Sequence, residues 1–141
     1  MSYLPVGTPL GDLRITEVIE YYDRPLIFMC QDGLDRHYLA CLADETGGVE
    51  TWLYVGMSPR RWQHVRSRAI DLHDAFAKAE EGKVYRIRQD ARTGDVIEPP
   101  ETVPCANLLA DDLPLPGEYA ELPQESLSPH VPAPFSRNAR P

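Results

Sequence analysis

Val49-Glu-Thr-Trp-Leu-Tyr-Val55 is followed within three residues by Ser58-Pro59, and the periodicity of the chain changes between the two. Up to Val55 the apolar residues alternate with period two, placing Trp52 and Tyr54 on one face of a strand and Thr51, Leu53 and Val55 on the other. Ser58-Pro59 then reads as an N-cap with Pro at the first helical position, and Trp62, Val65 and Ala69 follow at helical spacing.

Backwards from Val49 the pattern stays that of strands. Asp44-Glu-Thr-Gly-Gly48 is a Gly-bearing connection, Tyr38 to Ala43 a strand, and Gln31-Asp-Gly-Leu-Asp-Arg36 carries the Asp-Gly pair of a hairpin loop. Leu26-Ile-Phe-Met-Cys30 is a continuous apolar run. Leu13 to Tyr22 is β-branched and aromatic, with Leu13, Ile15, Ile19 and Tyr21 on one parity.

Forwards, a short helix from Pro59 turns Arg60, Arg61, His64 and Arg68 to solvent. A second helix, from about Leu72 to Glu81, carries Leu72, Ala75, Phe76 and Ala79 as its stripe and ends at Gly82. Lys83 to Arg88 returns to strand. The order β-β-β-β-α-α-β predicts an α+β fold: a curled antiparallel meander or partly open barrel, one face plugged by the helical segment. Residues 1–9 are read as a lead and 10–92 as the α+β domain. Beyond Arg92, Pro99, Pro100, Pro104, Pro114 and Pro116 interrupt any ladder, but Leu108, Leu109, Leu113, Leu115, Tyr119 and Leu122 are too many apolar residues for a solvated linker. An ordered strap over 93–122 is expected, with Gly117-Glu-Tyr-Ala-Glu-Leu122 as an edge strand, and a disordered tail over 123–141.

The 141 residues suit one domain, and the net charge of -8 is unevenly spread. Residues 1–57 hold nine acids against three bases, 58–92 five against nine, and 93–141 eight against two. Acidic flanks repel phosphate backbones, so general nucleic-acid binding is disfavoured unless Arg60, Arg61, Arg66 and Arg68 share one exposed face. No apolar run approaches membrane-span length and no signal-peptide pattern opens the chain, so a cytoplasmic protein is expected. The three cysteines, Cys30, Cys41 and Cys105, lack metal-ligand spacing. Cys30 and Cys41 read as reduced core residues.

Ile70-Asp-Leu-His-Asp-Ala-Phe76 raises the question of chemistry most directly. Asp71 as N-cap and Asp74 at the capping-box position account for both carboxylates, and residues two apart on a helix diverge too far for Asp71 and His73 to share a ligand. Glu20, Asp23, Asp44 and Glu45 stand at strand ends. With Asp71 and His73 they compose the one arrangement that could hold magnesium or manganese in a nuclease or hydrolase, but none of the spacings is diagnostic. No catalytic residue, metal or other cofactor is assigned. Arg60, Arg61, Trp62, His64 and Arg66 form the candidate set for a nucleotide or other small ligand, through arginine next to an aromatic ring. Gly-rich phosphate loops and a nucleophile elbow are absent.

Leu10-Gly11-x-Leu13-x-Ile15-x-Glu17-Val18-x-Glu20-Tyr21-Tyr22-Asp23-x-Pro25, Tyr38-Leu39-Ala40, Asp44-Glu45, Trp52-Leu53-Tyr54 and Ile70-Asp71-Leu72-His73-x-Ala75-Phe76 together resemble a family of small bacterial and phage-borne proteins classed as a domain of unknown function. The likeness runs from about Leu10 to Arg88, and Leu113-Pro-Leu-Pro-Gly117 resembles the family's C-terminal segment. It implies a prokaryotic or phage setting near defence or mobile-element genes and carries no catalytic residues over.

The leading expectation is a non-enzymatic binding module: an acidic interaction, inhibitor or accessory protein that docks on a protein partner. The rivals are the small-ligand or nucleotide binder and the metal-dependent hydrolase.

Overall fold

Period two carries the chain through four successive strands in the computed structural model, which describes residues 12–22 and 25–120. They are β1 (Arg14–Tyr21), β2 (Pro25–Gln31), β3 (His37–Thr46) and β4 (Val49–Met57). Helices α1 (Pro59–Arg66) and α2 (Leu72–Ala77) follow, then β5 (Lys83–Asp90), β6 (Glu101–Pro104) and two 3-10 turns at Cys105–Asn107 and Ala110–Asp112. All strands pair antiparallel with their sequence neighbours in one sheet of order β1-β2-β3-β4-β5-β6, which does not close into a barrel. The β3–β4 hairpin turns on Gly47 and Gly48, whose φ angles of 62° and 80° lie in the left-handed region that a tight, right-twisted hairpin requires. Among the described residues no helix is long and apolar enough to cross a membrane.

Both faces of the sheet are buried, by different means. On one, Ile27, Met29, Leu39, Cys41, Leu53 and Val55 pack beneath α1 and α2, with Val65 and Phe76 fully buried. The segment after β6 closes this side through Leu108, Leu113 and Ala120. On the other face Phe28, Cys30, Tyr38, Ala40, Trp52, Tyr54 and Ile87 form a second core that, among the described residues, includes none from a helix. Here the sheet curls on itself: Leu13 and Ile15 from the β1 end and Tyr85 and Val96 from the β5 end reach the same cluster. Glu50 and Gln89 are also buried, and the Trp52 indole donates to Glu50 Oε1 at 2.9 Å. Cys30 and Cys41 are free thiols in opposite cores. Burial, with Asp32 adding to it, pushes the Cys30 thiol up to about 12, and burial raises Cys41 as well, so neither is a thiolate at neutral pH.

Four expectations need correction. The single parity assigned to Ile15 and Ile19 fails because β1 pairs with β2 through irregular register between Ile15 and Glu17 and again between Val18 and Glu20. The first irregularity leaves Thr16 unpaired and switches the faces that follow it once, so Ile15 joins the second core and Ile19, itself the unpaired residue of the second irregularity, joins the first. Helix α2 ends at Ala77 rather than Glu81. A strand, β6, lies where prolines were expected to exclude one; it spans four residues at the sheet edge and finishes on Pro104, a place where a missing N–H is tolerated. Gly117 to Ala120 form no strand, and 121–122 lie outside the described residues, as do the 1–9 lead and the 123–141 tail.

Candidate functional site

Asp71 does what its position predicts, and more. Its Oδ1 accepts the Asp74 N–H at 2.7 Å as the N-cap of α2, while Oδ2 accepts the Gly117 N–H at 2.9 Å, across 46 residues. The neighbouring Leu72 N–H donates to the Glu118 carbonyl at 2.7 Å, and His73 Nδ1 lies 3.0 Å from the Pro114 carbonyl. The first turn of α2 therefore pins the segment 114–118 to the body of the protein. Both residues are structural ties here.

The arginines divide among different partners. Arg60 is exposed. Arg61 turns inward instead of toward solvent and donates to the carbonyls of Asp74 at 3.2 Å and Lys78 at 2.5 Å, satisfying acceptors at the C-terminus of α2. In return Glu80, beyond α2, accepts both the N–H and the hydroxyl of Ser58, the N-cap of α1. Burial alone would raise the Glu80 pKa, but the two Ser58 donors, with Arg61 and His64 nearby, hold it below its usual value. Arg66 lies over the half-buried Trp62 ring at 5.6 Å, and Arg68 over Tyr119 at 5.2 Å. The His64 side chain is exposed, and its carbonyl accepts from Ala69 where α1 ends.

Six-residue α2 is too short to persist without such ties. Arg61→Ala is therefore expected to lower stability by about 1.5 kcal/mol, the worth of charge-assisted hydrogen bonds to the Lys78 carbonyl and to the Asp74 carbonyl, which also accepts the Lys78 N–H, with Arg61→Lys recovering part of the loss. Urea denaturation measures it, and unchanged midpoints would release Arg61 from this role.

The acidic set does not converge. Asp44 accepts from Thr46 at the β3–β4 turn, Glu45 pairs opposite Glu50 at the same end of the hairpin, and Asp71 and His73 are engaged as described. Asp23 lies outside the described residues. Among the described residues no three His, Cys, Asp or Glu side chains form a group that could hold a metal ion.

What the fold does assemble is a cleft. Ile19, Glu20 and Tyr21 of β1 face Gly117, Glu118 and Tyr119 across a cavity of about 500 Å3, with Arg68 and Leu72 at its side. A second hollow of about 190 Å3 shares Glu20 and Glu118 with it and adds Asp111 and Asp112. The two form one trough carrying four carboxylates, and Arg68 is its one cationic residue among those described. Tyr21 is 64% exposed and Tyr119 37%. Glu20 was legible as a strand-end acid, but its partners were not. Asp111, Asp112 and Glu118 come from about ninety residues further on, and the adjacent acids Asp111-Asp112 within an apolar segment are the only sequence signal that marks them.

These features define a class: an open, curled antiparallel sheet layered on one side by two short helices and a strap, with an acidic, tyrosine-rimmed trough beside its first strand. The chain belongs to the family of unknown function DUF6575, whose model matches residues 1–128. No curated protein and no solved structure matches it.

Proposed function

We propose that this protein is a binding module whose trough receives an extended, basic segment of a partner protein. The observation that carries this reading is the trough itself: Glu20, Asp111, Asp112 and Glu118 on one depression rimmed by exposed Tyr21 and Tyr119. Tyrosine and arginine dominate the energetics of protein interfaces, and carboxylates without committed cations steer a basic partner toward them. The irregular register of β1 argues for recognition by side chains rather than by addition of a strand, since a bulged edge offers no regular ladder. Phosphate recognition has less support, because the arginines of α1 do not share one free face: Arg61 turns inward onto the carbonyls of α2 and Arg66 lies over Trp62. The setting we propose is cytoplasmic, as an interaction, inhibitor or accessory protein in a bacterial or phage defence context.

The test is a titration of the full chain with a fluorescent arginine–serine peptide at low and physiological salt. Saturable, salt-sensitive binding is expected, and Glu20→Lys and Asp112→Lys should each weaken it roughly tenfold through like-charge repulsion, mainly by slowing association. Binding that ignores both substitutions would remove the trough from consideration. Tighter binding of an oligonucleotide than of the peptide would favour the phosphate reading.

A further inference from the structure

We infer that the Tyr119 ring is a seat for a guanidinium of the partner, and that Arg68 occupies this seat in the free protein and leaves it on docking. The inference rests on the trough reading above and concerns how that trough selects its occupant.

Arg68 is an unusual residue for its place. It follows the Ser67 C-cap of α1 with φ of 66°, the left-handed conformation that ends a helix, and its N–H bonds Val65 while that of Ala69 bonds His64. Glycine is the residue this position favours, and a side chain there strains the backbone. The strained arginine nevertheless lies at the trough, with its guanidinium carbon 5.2 Å from the centre of the Tyr119 ring. Glu20 and Glu118 line the same cavity, yet among the described residues no carboxylate is ion-paired with Arg68. Glu118 instead accepts the Leu115 N–H.

A cation held only by a partly exposed ring is held weakly, and the surrounding carboxylates are left for another positive charge. A partner arginine can take over the ring face and add an ion pair with Glu20. Arg68, released to solvent, loses little. The ring distinguishes guanidinium from ammonium because the planar group stacks on it.

Arg68→Gly removes the internal competitor and relieves the backbone, so the variant stays folded. It is expected to bind the arginine–serine peptide about two- to fivefold more tightly than the parent chain, the equivalent of one exposed cation–π contact. Tyr119→Leu keeps the rim apolar and should abolish any preference for the arginine peptide over a lysine–serine peptide. If the parent binds and Arg68→Gly binds equally or more weakly, Arg68 is a contact residue or a bystander and this inference falls alone. If neither protein binds at low salt, the trough reading falls and takes the inference with it.

Discussion

Trp52→Ala is expected to leave the protein at or below the edge of folding. Trp52 is fully buried, packs its ring 5.4 Å from that of Phe28, and supplies the indole N–H that Glu50 Oε1 accepts. Truncating a buried tryptophan costs about 3–5 kcal/mol through lost transfer energy and the cavity left behind. Here the change also removes a donor from a buried carboxylate, worth about 1–3 kcal/mol more. Against a total of about 5–15 kcal/mol for a typical domain, little would remain. Trp52→Phe separates the two effects, since it keeps most of the aromatic packing and deletes only the N–H. A midpoint shift about a third as large as that of the alanine variant is expected in chemical denaturation. Near-native stability of Trp52→Ala would show that this face is not a core.

The same tryptophan shows why the sheet was readable. From Thr51 to Val55 the residues keep a single alternation, so the faces of β4 follow from it, and the glycines at 47 and 48 fit the turn that joins β3 to β4, while the register shift between Leu42 and Asp44 and the burial of Glu50 do not follow from that pattern. Ser58-Pro59 and Asp71 were readable for a similar reason, because capping is local chemistry. Alternation, however, assumes an unbroken ladder. The irregularities in β1 cost the parity of Ile19, and nothing in the local pattern announces a bulge. Strand β6 was hidden because one buried residue, Val103, carries it between prolines. Helix α2 ends where Lys78 leaves helical geometry, and Arg61, from another helix, donates to the Asp74 and Lys78 carbonyls there, a tertiary contact that the local pattern does not announce. The trough was hidden most deeply: Glu20 and Glu118 become neighbours only because α2 pins the strap beside β1.

That pin carries the second large expectation. Asp71→Ala should lower stability by about 2–3 kcal/mol, roughly 1 from the N-cap and the rest from the bond to Gly117, which an isolated cap would not lose. Asp71→Asn retains a cap-competent oxygen and is expected to recover about half. The effect also depends on pH. Burial pushes the Asp71 carboxyl upward, but the N–H groups of Asp74 and Gly117, with positive charge from His73 and Lys78, outweigh it and hold the pKa below its ordinary value. A carboxyl with a lower pKa in the folded than in the unfolded state stabilises fully above the unfolded value, near 4, and its contribution fades as pH falls through the folded one. Parent and Asp71→Asn proteins should therefore differ most near neutrality and converge in acid. The asparagine variant should also bind the arginine–serine peptide more weakly, although residue 71 lines neither hollow, because Gly117 to Tyr119 form one wall of the trough and Asp71 holds that wall in place. Hydrogen exchange at Gly117, whose N–H the carboxylate accepts, reports the same event directly. Faster exchange there together with weaker binding would tie the cap to the cleft, whereas destabilisation with unchanged exchange at Gly117 would reduce Asp71 to a helix cap alone.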